Sequence, residues 1–184
     1  MSDDYLARIG TTIKEARHRA GLSQADLATK DGVHQLVHAI EGAGRSVDAL
    51  CANAGHGLGH AFLDQDVEDW LHVINTNVVG TTHLVWHVGR MMRDRGRGRI
   101  LITSSIASQM PGTFQAVYNA TKSYDQSFAW AIRNELKDTG VTVTALLPGP
   151  TDTEFFHRAQ MDDTPVGRSD KKDDPADVAR TGFE

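Results

Sequence analysis

Apolar residues in this chain follow two patterns. The runs Val47 to Ala52, Ile100 to Thr103 and Val141 to Leu147 are short and predominantly apolar and read as strands buried in a parallel sheet. Longer segments repeat apolar residues every three or four positions, as helices do. Leu6, Ile9, Ile13, Ala16 and Ala20 make one such stripe, and Gly21 stands where a left-handed cap would end it. Ser23 then reads as an N-cap with Asp26 three residues on, predicting a second short helix through Ala25, Leu27 and Ala28. One long helix is predicted over Val67 to Met92 and another over Tyr118 to Asp138, with Phe128, Ala129, Ile132 and Leu136 as the apolar stripe of the latter. Pro175 to Phe183 begins a last helix. Strands alternating with helices predict an α/β fold around a parallel sheet.

Composition narrows the class. A chain of 184 residues with 40% hydrophobic residues and a formal charge of -5 has the make-up of one folded domain, and neither disorder nor a fibrous repeat is indicated. The amino terminus, Met1-Ser2-Asp3-Asp4, is acidic, and no apolar run approaches the ~18 residues of a membrane span. The expectation is a cytoplasmic protein with no membrane partner. Cys51 is the single cysteine and is expected to be a buried strand residue. The histidine pairs His34/His38, His56/His60 and His83/His87 are each four residues apart, but two ligands do not make a site, so no metal is expected. Five arginines in the run Arg90 to Arg99 read as the charged end of a helix followed by a turn at Gly96 and Gly98.

Candidate chemistry lies between the second and third strands. Ser104 and Ser105 close an apolar run; Tyr118 follows Ser105 by thirteen residues, and Lys122 is one helical turn beyond Tyr118. A phenol titrates near pH 10, so a fixed cation beside it is needed to favour phenolate. Lys122 is placed for that role. Ser105 could hold a carbonyl or alcohol oxygen within reach of the Tyr118 proton.

The segment Arg99 to Lys122 (RILITSSIASQMPGTFQAVYNATK) resembles the catalytic core of the short-chain dehydrogenase/reductase family, and three further blocks stand in that family's order: Asn53-Ala54-Gly55, Asn77-Val78-Val79-Gly80 and Pro148-Gly149. The resemblance implies a partial doubly wound, Rossmann-like parallel sheet and reversible hydride transfer between NAD(H) or NADP(H) and a small carbonyl/alcohol substrate. Tyr118 would be the acid/base, Lys122 would lower its pKa and bind ribose, Ser105 would hold the substrate oxygen, and Asn77 would order a relay water. From its spacing alone Asn77 reads equally as a hydrogen-bonded kink near Gly80. Asn53, Ala54 and Gly55 would line the cofactor cleft, Pro148, Gly149, Thr151 and Thr153 would approach the nicotinamide, and Asp26 would contact adenine. The two helices on either side of the second strand would form a homodimer interface. Phe155, Phe156 and Met161 would line a substrate lid or pack as core.

Residues 1-30 resemble something else: Ile9-Gly10 followed by GLSQADLA is similar to the first two helices of lambda-repressor-like helix-turn-helix domains, predicting an N-terminal helical hairpin. This divides the chain into a helix-turn-helix-like segment at 1-30, the partial dehydrogenase-type domain at 31-160 and a polar lid or tail at 161-184. The family's Gly-x-x-x-Gly-x-Gly turn, which would seat the pyrophosphate, has no counterpart in residues 1-30. Gly55, Gly57 and Gly59 follow a different strand and read as a flexible active-site loop. Besides an oxidoreductase, the chain therefore supports two other readings: a regulator binding DNA through residues 1-30, or an inactive remnant of the family. DNA binding is weakened by composition, since those residues carry five Lys/Arg against four Asp/Glu.

Overall fold

The computed structural model describes residues 21, 25–44 and 46–183. Three strands, β1 (Ala49–Ala52), β2 (Gly98–Thr103) and β3 (Val141–Leu146), form a parallel sheet in the order β1-β2-β3. Neighbouring parallel strands require long crossovers, and helices supply them. Helix α1 (Lys30–Gly42) precedes β1; α2 (Val67–Ile74) and α3 (Thr81–Arg95) join β1 to β2; and α4 (Ala116–Glu135) joins β2 to β3. Two further helices, α5 (Phe155–Arg158) and α6 (Pro175–Phe183), follow the sheet.

Register explains the core. Leu50 lies opposite Ile100, which lies opposite Val143, and Ala52, Ile102 and Ala145 form the next row. Because strand side chains alternate, this places Leu50, Ala52, Ile100, Ile102, Val141 and Val143 on one buried face. Against it pack Val33, Leu36, Val37 and Ile40 of α1, Leu84, Val85, Val88 and Met92 of α3, and Ala129, Phe128 and Ile132 of α4. Each fully buried aliphatic side chain contributes roughly 1.5–3 kcal/mol, so this layer is the main source of stability.

The strands were expected to be buried on both sides, and they are not among the described residues. Cys51, Arg99, Thr142 and Thr144 are exposed on the opposite face, so Cys51 is not the buried residue its apolar surroundings suggested. Packing there comes from α6, whose Gly182 sits close against Leu146 and Leu101.

Helix boundaries follow local chemistry. The helix predicted to start at Ser23 is instead a 3-10 turn over Ala25–Ala28, and α1 begins one residue after Thr29, whose Oγ1 accepts from the Gly32 N–H at 3.0 Å. The predicted stripe at residues 6–20 lies outside the described residues, as does Ser23. The 3-10 turn docks on the core, with the Leu27 carbonyl against Gly80, where a Cβ would collide with it. The single helix expected over Val67 to Met92 is interrupted by a π-helical turn, Asn75–Gly80, between α2 and α3. Helix α3 ends at Arg95 with Gly96 at φ 74°, as the arginine and glycine pattern predicts. Arg95 then donates from Nη2 to the Val47 carbonyl at 2.7 Å and pairs with Asp48 at 3.2 Å, tying the helix end to the approach of β1.

Candidate active site

Ser104 and Ser105 leave the carboxyl end of β2, and Tyr118 and Lys122 lie in the first turns of α4. Hydrogen bonds lock these two segments together. Ser104 Oγ donates to the Lys122 carbonyl at 2.7 Å, and its N–H donates to the Leu146 carbonyl at 2.8 Å. Asn119 Nδ2 donates to the carbonyls of Ala107 and Met110 at 3.0 and 2.9 Å, which fixes the loop after Ser105 against the helix. The Ile106 N–H donates to the Pro148 carbonyl at 3.0 Å, binding the loops after β2 and β3 to each other.

Ser105 and Tyr118 line the same cleft, with Ser105 near enough to the phenol to favour its ionised form. Ser105 Oγ accepts from the Ala107 N–H at 3.1 Å, capping the short 3-10 turn Ile106–Gln109. Tyr118 is 8% exposed, and its ring faces Phe155 with centroids 5.2 Å apart. Burial pushes the phenol above its ordinary value; the neighbouring Ser105 hydroxyl opposes this, and the Asp125 carboxylate adds to it.

Lys122 occupies a different electrostatic position from the one its spacing suggested. Its Nζ donates to the Thr103 carbonyl at 2.7 Å and to Asp125 Oδ2 at 3.1 Å, forming an ion pair whose two side chains are 8% and 2% exposed. The ammonium is thus engaged with a carboxylate rather than devoted to the phenol. Burial holds the Asp125 carboxyl up at about 6, partly offset by the charge and hydrogen bond of Lys122. Asp125 was not recognised from the sequence, although its place three residues after Lys122 puts both on one helix face.

Asn77 is fully buried inside the π turn, a distortion found often at functional sites. Its Oδ1 accepts from the His56 N–H at 3.0 Å, and its Nδ2 donates to the His56 carbonyl and to Thr121 Oγ1, each at 3.0 Å. Asn77 therefore clamps the loop after β1 to α4. Gly55 sits over this clamp: a Cβ there would lie 3.1 Å from Asn77 Oδ1 and 3.4 Å from Lys122 Nζ. Replacing Asn77 by alanine would orphan both His56 backbone groups, at roughly 1–3 kcal/mol each. We expect a correspondingly lower urea midpoint for Asn77→Ala; an unchanged midpoint would refute the clamp.

A cleft of about 2110 Å³ opens at the carboxyl edge of the sheet and continues along its exposed face. Asn53, Gly55, Ser105, Tyr118, Lys122, Pro148, Gly149, Thr151 and Thr153 all line it. Ala54 packs against the core behind the wall, and Asp26, in the 3-10 turn before α1, is not among the lining residues. Phe155 and Phe156 line the cleft and pack with Ala159 and Met161 as a small second core. Gly57 and Gly59 give that core its close approach: the Gly59 N–H donates to the Ala159 carbonyl at 2.9 Å, and a Cβ on Gly57 would meet the Phe155 ring at 2.7 Å. The glycine cluster thus serves packing of α5 against the loop.

Comparison with known proteins agrees with this geometry. The sequence profile of the short chain dehydrogenase family matches residues 1–164, so residues 1-30, with their resemblance to helix-turn-helix domains, lie within the match. An uncharacterized oxidoreductase of Staphylococcus saprophyticus subsp. saprophyticus is 32% identical over 182 residues, covering 98% of this chain and 75% of that protein. Sulfoacetaldehyde reductase 2 of Chromohalobacter salexigens is 32% identical over 141 residues, covering 76% of this chain and 56% of that one. Among solved structures, the closed form of serine dehydrogenase complexed with NADP+ superposes with a TM-score of 0.76 at 28% identity, covering 85% of this chain and 66% of that chain. The chain spans between about half and three quarters of the length of these relatives. Among the described residues no helix is long and apolar enough to cross a membrane. With the family profile matched over most of its length and the serine, tyrosine and lysine gathered at the carboxyl edge of a parallel sheet, this chain belongs to the short chain dehydrogenase family.

Proposed function

We propose that the chain carries the catalytic half of an oxidoreductase that interconverts a small carbonyl compound and its alcohol with NAD(H) or NADP(H). The juxtaposition of Ser105 and Tyr118 in the cleft carries this reading. Ser105 and Tyr118 would share the substrate oxygen, and Tyr118 would give it a proton in the reducing direction. Phe155, whose ring lies tilted beside Tyr118, would shield that oxygen from water.

The nicotinamide cofactor would supply the hydride. The residues around Gly55 fit its ribose end: the absent Cβ leaves space beside Lys122 Nζ and Asn77 Oδ1, and Asn53, Pro148, Gly149, Thr151 and Thr153 border the same space. Lys122 would hold the ribose, and Asn77, already saturated by His56 and Thr121, would act by keeping the cleft wall in place.

A homodimer through α3 and α4 belongs to the same reading. Trp86 and Trp130 are 53% and 57% exposed on these helices, with Tyr124 beside them. So does a cytoplasmic location. Titrating NADPH and NADH into the full chain while following nicotinamide fluorescence tests the function: saturable binding at sub-millimolar to millimolar cofactor is expected. No binding at about 1 mM, an affinity that corresponds to only about 4 kcal/mol, would overturn it.

A further inference from the structure

We infer that His34, His83 and His87 form a binding site for a divalent transition metal of the zinc class, held between α1 and α3. Spacing alone groups His34 with His38, but the fold groups it otherwise. His83 and His87 lie one turn apart on the face of α3 that meets α1, and the packing of Val33, Val37, Leu84 and Val88 in one core brings His34 alongside them.

One ligand nitrogen from each ring lies within 4.8 Å of the other two. The Nε2 atoms of His83 and His87 are 3.1 Å apart. Zinc bonded tetrahedrally to imidazole at roughly 2.0–2.1 Å holds its ligand nitrogens roughly 3.3 Å apart, so one edge is nearly formed and small rotations of His34 complete the other two. His34 meets His83 and His87 edge to face, with centroids 4.9 and 5.4 Å apart, and the His83 and His87 rings are tilted against each other at 4.9 Å. Such crowding favours neutral imidazole, the form that binds metal. All three are half-buried, which leaves a fourth position open to water.

Three imidazoles with no thiolate suit zinc, cobalt, nickel or copper(II) rather than magnesium or calcium, which prefer oxygen. None of the three histidines lines the catalytic cleft, so the metal would pin α1 to α3 and take no part in hydride transfer. The inference is independent of the proposed function.

The full chain, stripped with EDTA and dialysed, would be titrated with zinc sulfate by calorimetry, and with cobalt(II) by visible absorption. One saturable equivalent at up to about 100 µM zinc and a melting temperature that rises with zinc concentration are expected. His34→Gln and His83→Gln should each weaken binding roughly 10- to 100-fold, while His38→Gln and His157→Gln should leave it unchanged. Cobalt loading of the unaltered chain gives a readout that needs no variant: intense tetrahedral bands support the site, and the pale spectrum of octahedral aqueous cobalt refutes it. Binding that survives His34→Gln, or that falls equally with His38→Gln, would also overturn the inference.

Discussion

Replacing Tyr118 by phenylalanine is expected to lower carbonyl reduction by roughly 10²- to 10⁴-fold, the usual contribution of a positioned general acid. The variant tests chemistry rather than folding. The ring that packs against Phe155 remains, and only the hydroxyl is lost. Melting temperature and cofactor affinity should therefore stay close to those of the unaltered chain while kcat collapses. The pH dependence follows from the raised phenol. Reduction needs the protonated form, so its rate should be flat through neutral pH and fall only above about pH 10; alcohol oxidation needs phenolate and should climb over the same range. Full activity in Tyr118→Phe would show that the proton comes from elsewhere.

The second large effect concerns Asp125. Its carboxyl titrates near 3.8 when exposed and is pushed up to about 6 in the folded chain. A folded-state pKa raised in this way means that the native protein holds its proton more tightly than the unfolded one. The stability this confers is present below about pH 4 and is lost as pH rises through about 6. At roughly 1.4 kcal/mol per pH unit, the chain should lose about 3 kcal/mol across that interval relative to Asp125→Asn, which has no proton to release. Urea unfolding of both proteins at several values between pH 4 and 7.5 measures the difference directly. Two curves that run parallel would mean that Lys122 fully offsets the burial of the carboxylate. Asp125→Ala is a harsher change, because it leaves the Lys122 ammonium buried with the Thr103 carbonyl but without its carboxylate.

Much of this arrangement was readable before any coordinates. The apolar runs predicted the three described strands to within about two residues, because each strand needs apolar residues on the face that meets the helices. Arg93 and Arg95 before Gly96 predicted where α3 ends, since cations and a left-handed residue both favour a helix carboxyl terminus. Local patterns failed where a distant partner decided the conformation. Ser23 with Asp26 looked like a helix start, yet Ala25–Ala28 is a 3-10 turn docked on Gly80, some fifty positions along the chain. The π turn at Asn75–Gly80 carries no periodicity of its own, and its Asn77 is satisfied by His56 and Thr121 from separate elements.

The candidate site shows the same division. Ser105, Tyr118 and Lys122 were identified by their spacing, because a helix brings residues four apart to one face and a strand end can present a serine opposite them. Their electrostatics were not, because a pKa depends on burial and on every charge nearby. The sequence by itself determined the α/β class, the order of elements and the residue types at the cleft, all of which follow from short-range periodicity and residue chemistry. Tertiary structure alone decided that the Lys122–Asp125 pair is buried, that Asn77 serves as a clamp, that Cys51 is exposed and that His34 joins His83 and His87. Each of these depends on which surfaces of separate elements meet, and that is fixed by packing rather than by spacing along the chain.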